Sequence, residues 1–408
     1  MNKSLAATMA VLALTSASHA ETIYITGSTA YRAATIAAIQ AMLGAGANST
    51  PTAQSSSTLS KASAVNWINK TYNGHSGVNI KVSFYGSVGG VQTVSNAITW
   101  PFLKDSASGT VSFDPTVSAN VTDNGVMAVP QITLSDTFQS STPFTSNTLA
   151  NDLIVGICPF RWIGSPGLTT GLSMTPLLAQ AVFSNGNAPL AMLTGLAADR
   201  TTTTTVNILG TSRTKAKQLF ALGRDADSGT RLTAFAEAGL GVAATVMQYK
   251  ATVVSNAVTT HVPFPGATLN GIDYDDGTMG YNSGGTVAGV MRATTSAIGG
   301  YYVTYLSTSD SSTALAAADG TGSAATALKW NGVDYSTTAV QEGQYTFWGY
   351  EHVLYGTLSG DAAVFAPALA AAIKGTSSST GTASTSGINY FTMNVSRPGD
   401  GAGIIAGY

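Results

Sequence analysis

An α/β protein in two lobes is what this 408-residue sequence predicts, and three observations carry the expectation. Short β-branched runs are followed by Gly/Ser turns and then by apolar residues at helical spacing, which is the pattern of strand, turn and helix. The chain exceeds what one hydrophobic core usually serves, since cores tend to divide beyond ~250–300 residues. Only 9% of the residues are charged, with Ser, Thr, Gly and Ala in their place, a composition that suits an exported protein with a hydroxyl-rich surface.

Residues 1–20, "MNKSLAATMAVLALTSASHA", combine a basic start at Lys3, an apolar stretch from Ala6 to Leu14 and a small-residue end at Ala20, so they read as a secretory signal peptide with the mature chain beginning at Glu21. No cysteine stands at that junction to take a lipid anchor, and no later apolar run approaches the ~18 residues of a membrane span, so a soluble periplasmic or secreted protein is expected. The formal charge of −2, more negative by one once Lys3 is removed, offers no basic surface for nucleic acid. The single cysteine, Cys158, lies in the apolar run "NDLIVGICPF" and reads as a packed thiol in a buried strand.

The first α/β unit is "TIYIT" from Thr22, then "GST", then the helix pattern "AYRAATIAAIQAML". The second is "GVNIKVSFYG", with a helix expected from Gly89 or Gly90. After the Ser/Thr-rich segment 130–150, "LIVGI" and "TPLLAQAVF" mark a new region, so lobe I is expected over 21–152 and lobe II over 153–342. The Thr run at 201–205 reads as extended. The aromatic-rich segments "SAIGGYYVTYL" and "VQEGQYTFWGYEHVLYG" read as strands, the second returning the chain to lobe I over 343–408, followed by the helix pattern "AVFAPALAAAI". The Ser/Thr/Gly-rich segment 374–387 reads as a flexible linker or surface loop, and "INYFTMNV" as a last strand.

Three turns, "TGSTAYR", "YGSVGG" and "DADSGTR", share one physical device: Gly for close backbone approach, Ser or Thr for a hydroxyl, then a helix start whose unsatisfied N–H groups favour an anion. One such turn is ordinarily just a cap; three together point to an anion site. Arg224, four residues before Ser228, adds a planar guanidinium with forked donors, although a local ion pair with Asp225 or Asp227 explains it equally well.

These residues resemble the periplasmic phosphate-binding proteins of ABC importers over most of the mature chain. Thr29 and Ala30 match the family's first anion turn, Gly86, Ser87, Gly89 and Gly90 the second, Ser135-Asp136 its Ser-Asp pair, and Arg224 with Ser228-Gly229-Thr230 its Arg-then-Ser-Gly-Thr loop. The resemblance implies a two-lobed, type II periplasmic-binding-protein-like α/β fold, each lobe a mixed sheet flanked by helices, with the ligand in the interlobe cleft. It places phosphate contacts on Thr29, the Ala30 N–H, Ser87, Asp136, Arg224, Ser228, Gly229 and Thr230. It further implies a monomer that delivers inorganic phosphate to the membrane permease of an ABC importer, with no enzymatic activity and no cofactor. Asp136 would select protonated phosphate, because sulfate has no proton to offer a carboxylate in a dry cleft. The chain departs from the family at Ala226, where an acid usually stands two residues after the arginine, and at Val88.

Other chemistry finds little footing. His75, His261 and His352 are far apart in sequence with no Gly-x-Ser-x-Gly elbow, so structural histidines are expected. "DYDDG" at 273–277 resembles the start of a calcium loop, but its twelfth position is Gly284 rather than Glu, so no metal is expected. The aromatic residues of 345–350 are expected in the core rather than on a carbohydrate platform. Two alternatives stand beside the binding protein: a secreted phosphoryl-transfer enzyme or phosphatase on the same anion site, and a surface or adhesive protein that has lost its ligand.

Overall fold

The computed structural model describes residues 21–200, 216–316 and 322–407 and, between 201 and 215, two strands at Thr205–Ile208 and Thr211–Thr214. The expected signal segment 1–20 and residues 201–204 of the Thr run lie outside them.

The first strand, β1 (Thr22–Gly27), buries Ile23 and Ile25 completely and leads into α1 (Arg32–Leu43). A β-hairpin follows, β2 (Ala64–Tyr72) and β3 (His75–Phe84), and β3 runs directly into α2 (Ser87–Ser95). The helix thus begins at Ser87, two or three residues before the sequence expectation, since glycines 89 and 90 lie inside it. Strand β4 (Ile132–Ser135) ends one residue short of Asp136. β1 lies between β3 and β4, parallel to both, with Gly27 opposite Phe84 on one side and Leu134 on the other. The three strands therefore end at the same edge, and the segments that follow them, from Ser28, Tyr85 and Asp136, share that edge. In open α/β sheets the crevice outside such carboxyl ends is where ligands bind.

Strand β5 (Asn151–Gly164) is fourteen residues long and joins the halves of the molecule. After it come α3 (Pro176–Asn185), β6 (Asn187–Pro189), β7 (Gln218–Ala221), α4 (Gly229–Glu237), α5 (Gly284–Val290), β8 (Gly300–Ser307), α6 (Thr308–Leu315) and β9 (Thr326–Trp330). The chain then returns along β10 (Trp348–Tyr355) and closes on α7 (Gly360–Lys374). One large mixed sheet results, in the order β6-β7-β8-β5-β10-β4-β1-β3-β2, flanked by helices. β10 pairs antiparallel with β5 from Asn151 to Pro159, while the far end of β5 pairs with β8 and β9 in the second half. Two long strands thus cross between the halves.

At the crossing an aromatic cluster fills the core. Trp162 stacks on Trp330 and Phe347 at centroid distances of 5.7 and 5.4 Å, and meets Tyr305 edge-on. Tyr345, Phe347 and Trp348 have no solvent exposure, which places the 345–350 aromatics in the core as expected. Cys158 is likewise buried within β5.

Near the C-terminus one open reading is decided and one expectation changes. The 374–387 segment is a docked surface loop rather than a flexible linker: Thr382 Oγ1 donates to the Ala34 carbonyl, Ser386 Oγ accepts from the Ala34 N–H, and Ala383 is fully buried. Its small side chains let the backbone lie close to α1. The expected strand over 388–395 is reduced to a bridge between Ile388 and Ile157, a single helical turn at Tyr390–Thr392 and a short strand at Val395–Ser396. Asn389 causes the change, since its side chain caps that turn through the Phe391 N–H.

Gly27 holds the site's edge together. Its φ is +112°, and a Cβ there would stand 2.0 Å from the Leu134 carbonyl oxygen; Gly90 of α2 is seated on its Cα. Gly27→Ala is therefore expected to destabilise the protein by at least ~2 kcal/mol through strain and overpacking, read from the chemical denaturation midpoint, whereas Ala at exposed Gly289 in α5 should have a much smaller effect.

Candidate functional site

The third turn is the best-built part of the site. Strand β7 ends at Ala221, and the chain passes through Gly223 and Arg224 to Ser228, the N-cap of α4, whose hydroxyl accepts from the Arg231 N–H at 3.2 Å. Arg224, Asp225, Asp227, Ser228 and Thr230 are each 4% exposed or less. Neither acid makes an ion pair with Arg224. Its guanidinium instead donates from Nε to the Tyr281 carbonyl and from Nη2 to the Asn282 carbonyl, both at 3.1 Å, while its N–H reaches the Tyr305 hydroxyl. Backbone carbonyls thus orient Arg224 and leave its positive charge uncancelled by a paired carboxylate. The chain's departure at Ala226 is accommodated in this way.

From the other half, α2 meets this loop directly. The N–H groups of Val88 and Gly89 donate to the Asp227 carbonyl at 3.0 and 3.3 Å. A Cβ on Gly86 would stand 2.3 Å from that carbonyl oxygen, and one on Gly89 would stand 2.8 Å from Asp227 Cγ. The glycines of "YGSVGG" therefore make room for the opposite loop. Two of the helix-start donors that the sequence offered to an anion are taken by the protein's own backbone.

Next to this contact, Ser87 Oγ donates to Asp136 Oδ1 at 2.5 Å and accepts from the Asp136 N–H at 3.0 Å; Thr230 Oγ1 donates to Asp136 Oδ2 at 3.2 Å. Gly229 packs against both, with its Cβ position 1.8 Å from Asp136 Oδ1. Ser87, Asp136, Gly229 and Thr230 are thus one hydrogen-bonded cluster drawn from both halves, with Arg224 and Ser228 on the same loop. Thr29 and Ala30 belong to the neighbouring turn. Thr29 faces a cavity of about 380 Å³ between the halves, whose walls include Arg32, Lys61, Tyr85, Asp114 and Asn282. Across its rim Asn282 Nδ2 donates to Thr116 Oγ1 at 2.9 Å, and deeper in the interface Gln92 Nε2 donates to the Asn270 carbonyl at 3.2 Å. The two halves are closed on one another.

Burial dominates the electrostatics. The Asp136 carboxyl is pushed up by desolvation, against which the Ser87 hydrogen bond and the Arg224 charge act. Asp225 is pushed up to about 6 by burial, opposed by Arg224 and Arg231, and Asp227 to about 7 by burial together with the charge of Asp225. Behind Asp136, the fully buried Glu351 of β10 accepts from Ser28 Oγ at 3.2 Å and is raised by desolvation and by Asp136, while its Oε1 has no hydrogen-bond partner.

Sequence reasoning missed Arg32 and Glu351. The first had a signal: it opens α1, where the helix dipole disfavours a cation, so a basic residue there asks for an anion nearby. The second had none, because Glu351 reaches the site only through the pairing of β10. The histidines lie elsewhere: His75 pairs with Asp361 at 2.6 Å and His352 with Asp152 at 2.5 Å.

Searches against protein-family models and curated proteins found no match for the chain. Among solved structures it is similar to PfluDING, a high-affinity periplasmic phosphate-binding protein bound with phosphate, at 12% identity and TM-score 0.44, covering 91% of this chain and 90% of that one. It is similar to a Clostridium perfringens protein with bound phosphate, described as a phosphate ABC transporter substrate-binding protein, at 11% identity and TM-score 0.44, covering 86% and 93%. An ABC-type phosphate transport receptor from Vibrio cholerae follows at 12% and 0.41, covering 85% and 93%.

The raised carboxyls fix the sign of a pH effect. A carboxyl whose folded pKa lies above its unfolded value near 4 contributes stability that is complete below that value and lost as the pH rises through the folded one. For Asp225 and Asp227 this window runs from about 4 to about 7. The unfolding free energy is expected to be lower at pH 8 than at pH 5 by about 2 kcal/mol or more, measured by denaturant titration, and Asp225→Asn should flatten the dependence.

Proposed function

We propose that this protein is an extracytoplasmic solute-binding protein that captures phosphate between its two lobes and delivers it to the permease of an ABC importer. The observation that carries the proposal is the convergence, in one buried cluster, of Ser87 and Asp136 from one half with Arg224 and the Ser228-Gly229-Thr230 turn from the other. Lobe I comprises 21–152 and 343–408 and lobe II 153–342, so the ligand would bridge them and hold them closed.

In this proposal phosphate is held by the Thr29 hydroxyl, the Ala30 N–H, the hydroxyls of Ser87 and Thr230, which turn to it from Asp136, the Ser228 hydroxyl, the N–H groups of Gly229 and Thr230 at the start of α4, and the Arg224 guanidinium. Each has a physical reason. The α4 start presents donors and a partial positive charge. Arg224, held by carbonyls rather than carboxylates, keeps its charge for the ligand. Asp136 is the selective element. Its two oxygens accept from the Ser87 and Thr230 hydroxyls; when those turn to the ligand the same oxygens accept the P–OH proton, and its ionisation is supported by Ser87, Arg224 and Thr230 against the cost of burial. Sulfate would bring a second unprotonated anion against that carboxylate. Hydrogen bonds to charged groups contribute ~1.5–3 kcal/mol each, enough in sum for micromolar binding, about −8 kcal/mol.

Calorimetry of the mature protein tests this. Phosphate is expected to bind at micromolar Kd or tighter while sulfate does not, and Arg224→Ala and Asp136→Ala should each weaken phosphate at least tenfold, about 1.4 kcal/mol. Asp136→Asn separates selectivity from folding, since the amide keeps the shape but can donate to an unprotonated oxyanion; it should admit sulfate. A protein that ignores both anions contradicts the proposal.

A further inference from the structure

The cavity that Thr29 lines is too large for orthophosphate alone. At about 380 Å³ it lies within the range of small-molecule pockets, roughly 300–1,000 Å³. Taking ~30 Å³ per water, it has room for about a dozen, of which a five-atom anion displaces only a few.

Its walls are differentiated. Among them stands Arg32, the first residue of α1, which makes no hydrogen bond or ion pair among the described residues. Its surroundings do not favour the charge: burial lowers its pKa, Arg224 opposes it, and only the charge of Asp310 supports it. A guanidinium at the positive end of a helix, beside a second guanidinium and without a carboxylate partner, is completed by a doubly charged oxyanion. The rest of the wall is different in kind. Ser63, Thr116, Asn282, Ser283 and Thr286 supply neutral hydrogen-bonding groups, with Lys61 and Asp114 of opposite charge between them. Phe84, Tyr85 and Pro115 provide an apolar wall. A second phosphoryl group would meet the Asp114 carboxylate there; a compact polyol would find donors, acceptors and a face for its C–H groups.

We propose that the cleft takes a phosphate monoester of a small polyhydroxylated compound, with its phosphoryl group drawn to the Thr29 turn and Arg32 and its organic part among the neutral groups of the wall. The proposal rests on the phosphate reading above and narrows it. Arg32 is then a ligand-contacting residue, and the rim formed by Asn282 with Thr116 and Asp114 closes over the substituent.

Calorimetric titration of the mature protein with orthophosphate, glycerol 3-phosphate, glucose 6-phosphate and unphosphorylated glucose tests it. At least one ester is expected to bind as tightly as orthophosphate or more so, and glucose not at all. Arg32→Gln should weaken the ester at least tenfold. Lys61→Met, at an exposed position where folding is not at stake, should lower the ratio of ester to orthophosphate affinity at least fivefold. Orthophosphate binding with both esters more than a hundredfold weaker would overturn the proposal and leave the phosphate reading intact, making the cavity a solvent-filled mouth. Silence toward orthophosphate and esters alike would overturn both.

Discussion

The approach of the 224–230 loop to the start of α2 is the constraint on which the rest of the site depends. Two N–H groups of one half bond to a single carbonyl, that of Asp227, from the other. The bond is possible only because three positions at the interface, Gly86, Gly89 and Gly229, have no Cβ to collide with Asp227 or Asp136. Once the backbones are this close, Ser87, Asp136 and Thr230 fall within hydrogen-bond distance of one another, and the carboxylate between them is dry.

That dryness shapes the chemistry. Asp136, Asp225, Asp227 and Glu351 are four carboxyls with almost no exposure, and no arginine forms an ion pair with any of them among the described residues. Arg224 and Arg231 are buried too, but their guanidinium groups give only part of their donors, and those to backbone carbonyls. Buried charges usually pair, because an isolated one is costly to desolvate. Here they are kept close but not joined, so each arginine keeps donor capacity and each acid is pushed toward its neutral form. Such an arrangement stores a preference for an anion at the arginines and for a proton at the acids, which are the two things that protonated phosphate carries.

The closed rim adds a second layer. Asn282 to Thr116 and Gln92 to Asn270 link the halves at separate points, and each link is a single polar contact of modest strength. Their sum is small against the bonds a doubly charged ligand could form in the same gap. The two strands β5 and β10 are instead joined by a ladder from Asn151 to Pro159, interrupted once between Glu351 and His352. The molecule is thus tied together along the sheet more firmly than at the rim.

Local pattern was enough to determine the strand, turn and helix order, because side-chain periodicity and cap chemistry act over a few residues: β1 with α1, β3 with α2, the long β5 with α3, the buried aromatic return and the Ser228 cap were all legible. The turns that carry Thr29, Ser87 and Arg224 were legible for the same reason, each leading into a helix, whereas Asp136 came only from the family resemblance. Only tertiary structure decided what those residues face. The glycines of α2 read as space for an anion and proved to be space for Asp227; the acid expected to orient Arg224 was replaced by carbonyls 57 and 58 residues further on; the Ser/Thr/Gly-rich loop found its partner in α1; and Glu351 joined the site through a strand pairing. These depend on which surfaces meet, and contacts between residues distant in sequence leave no periodicity for the sequence to display.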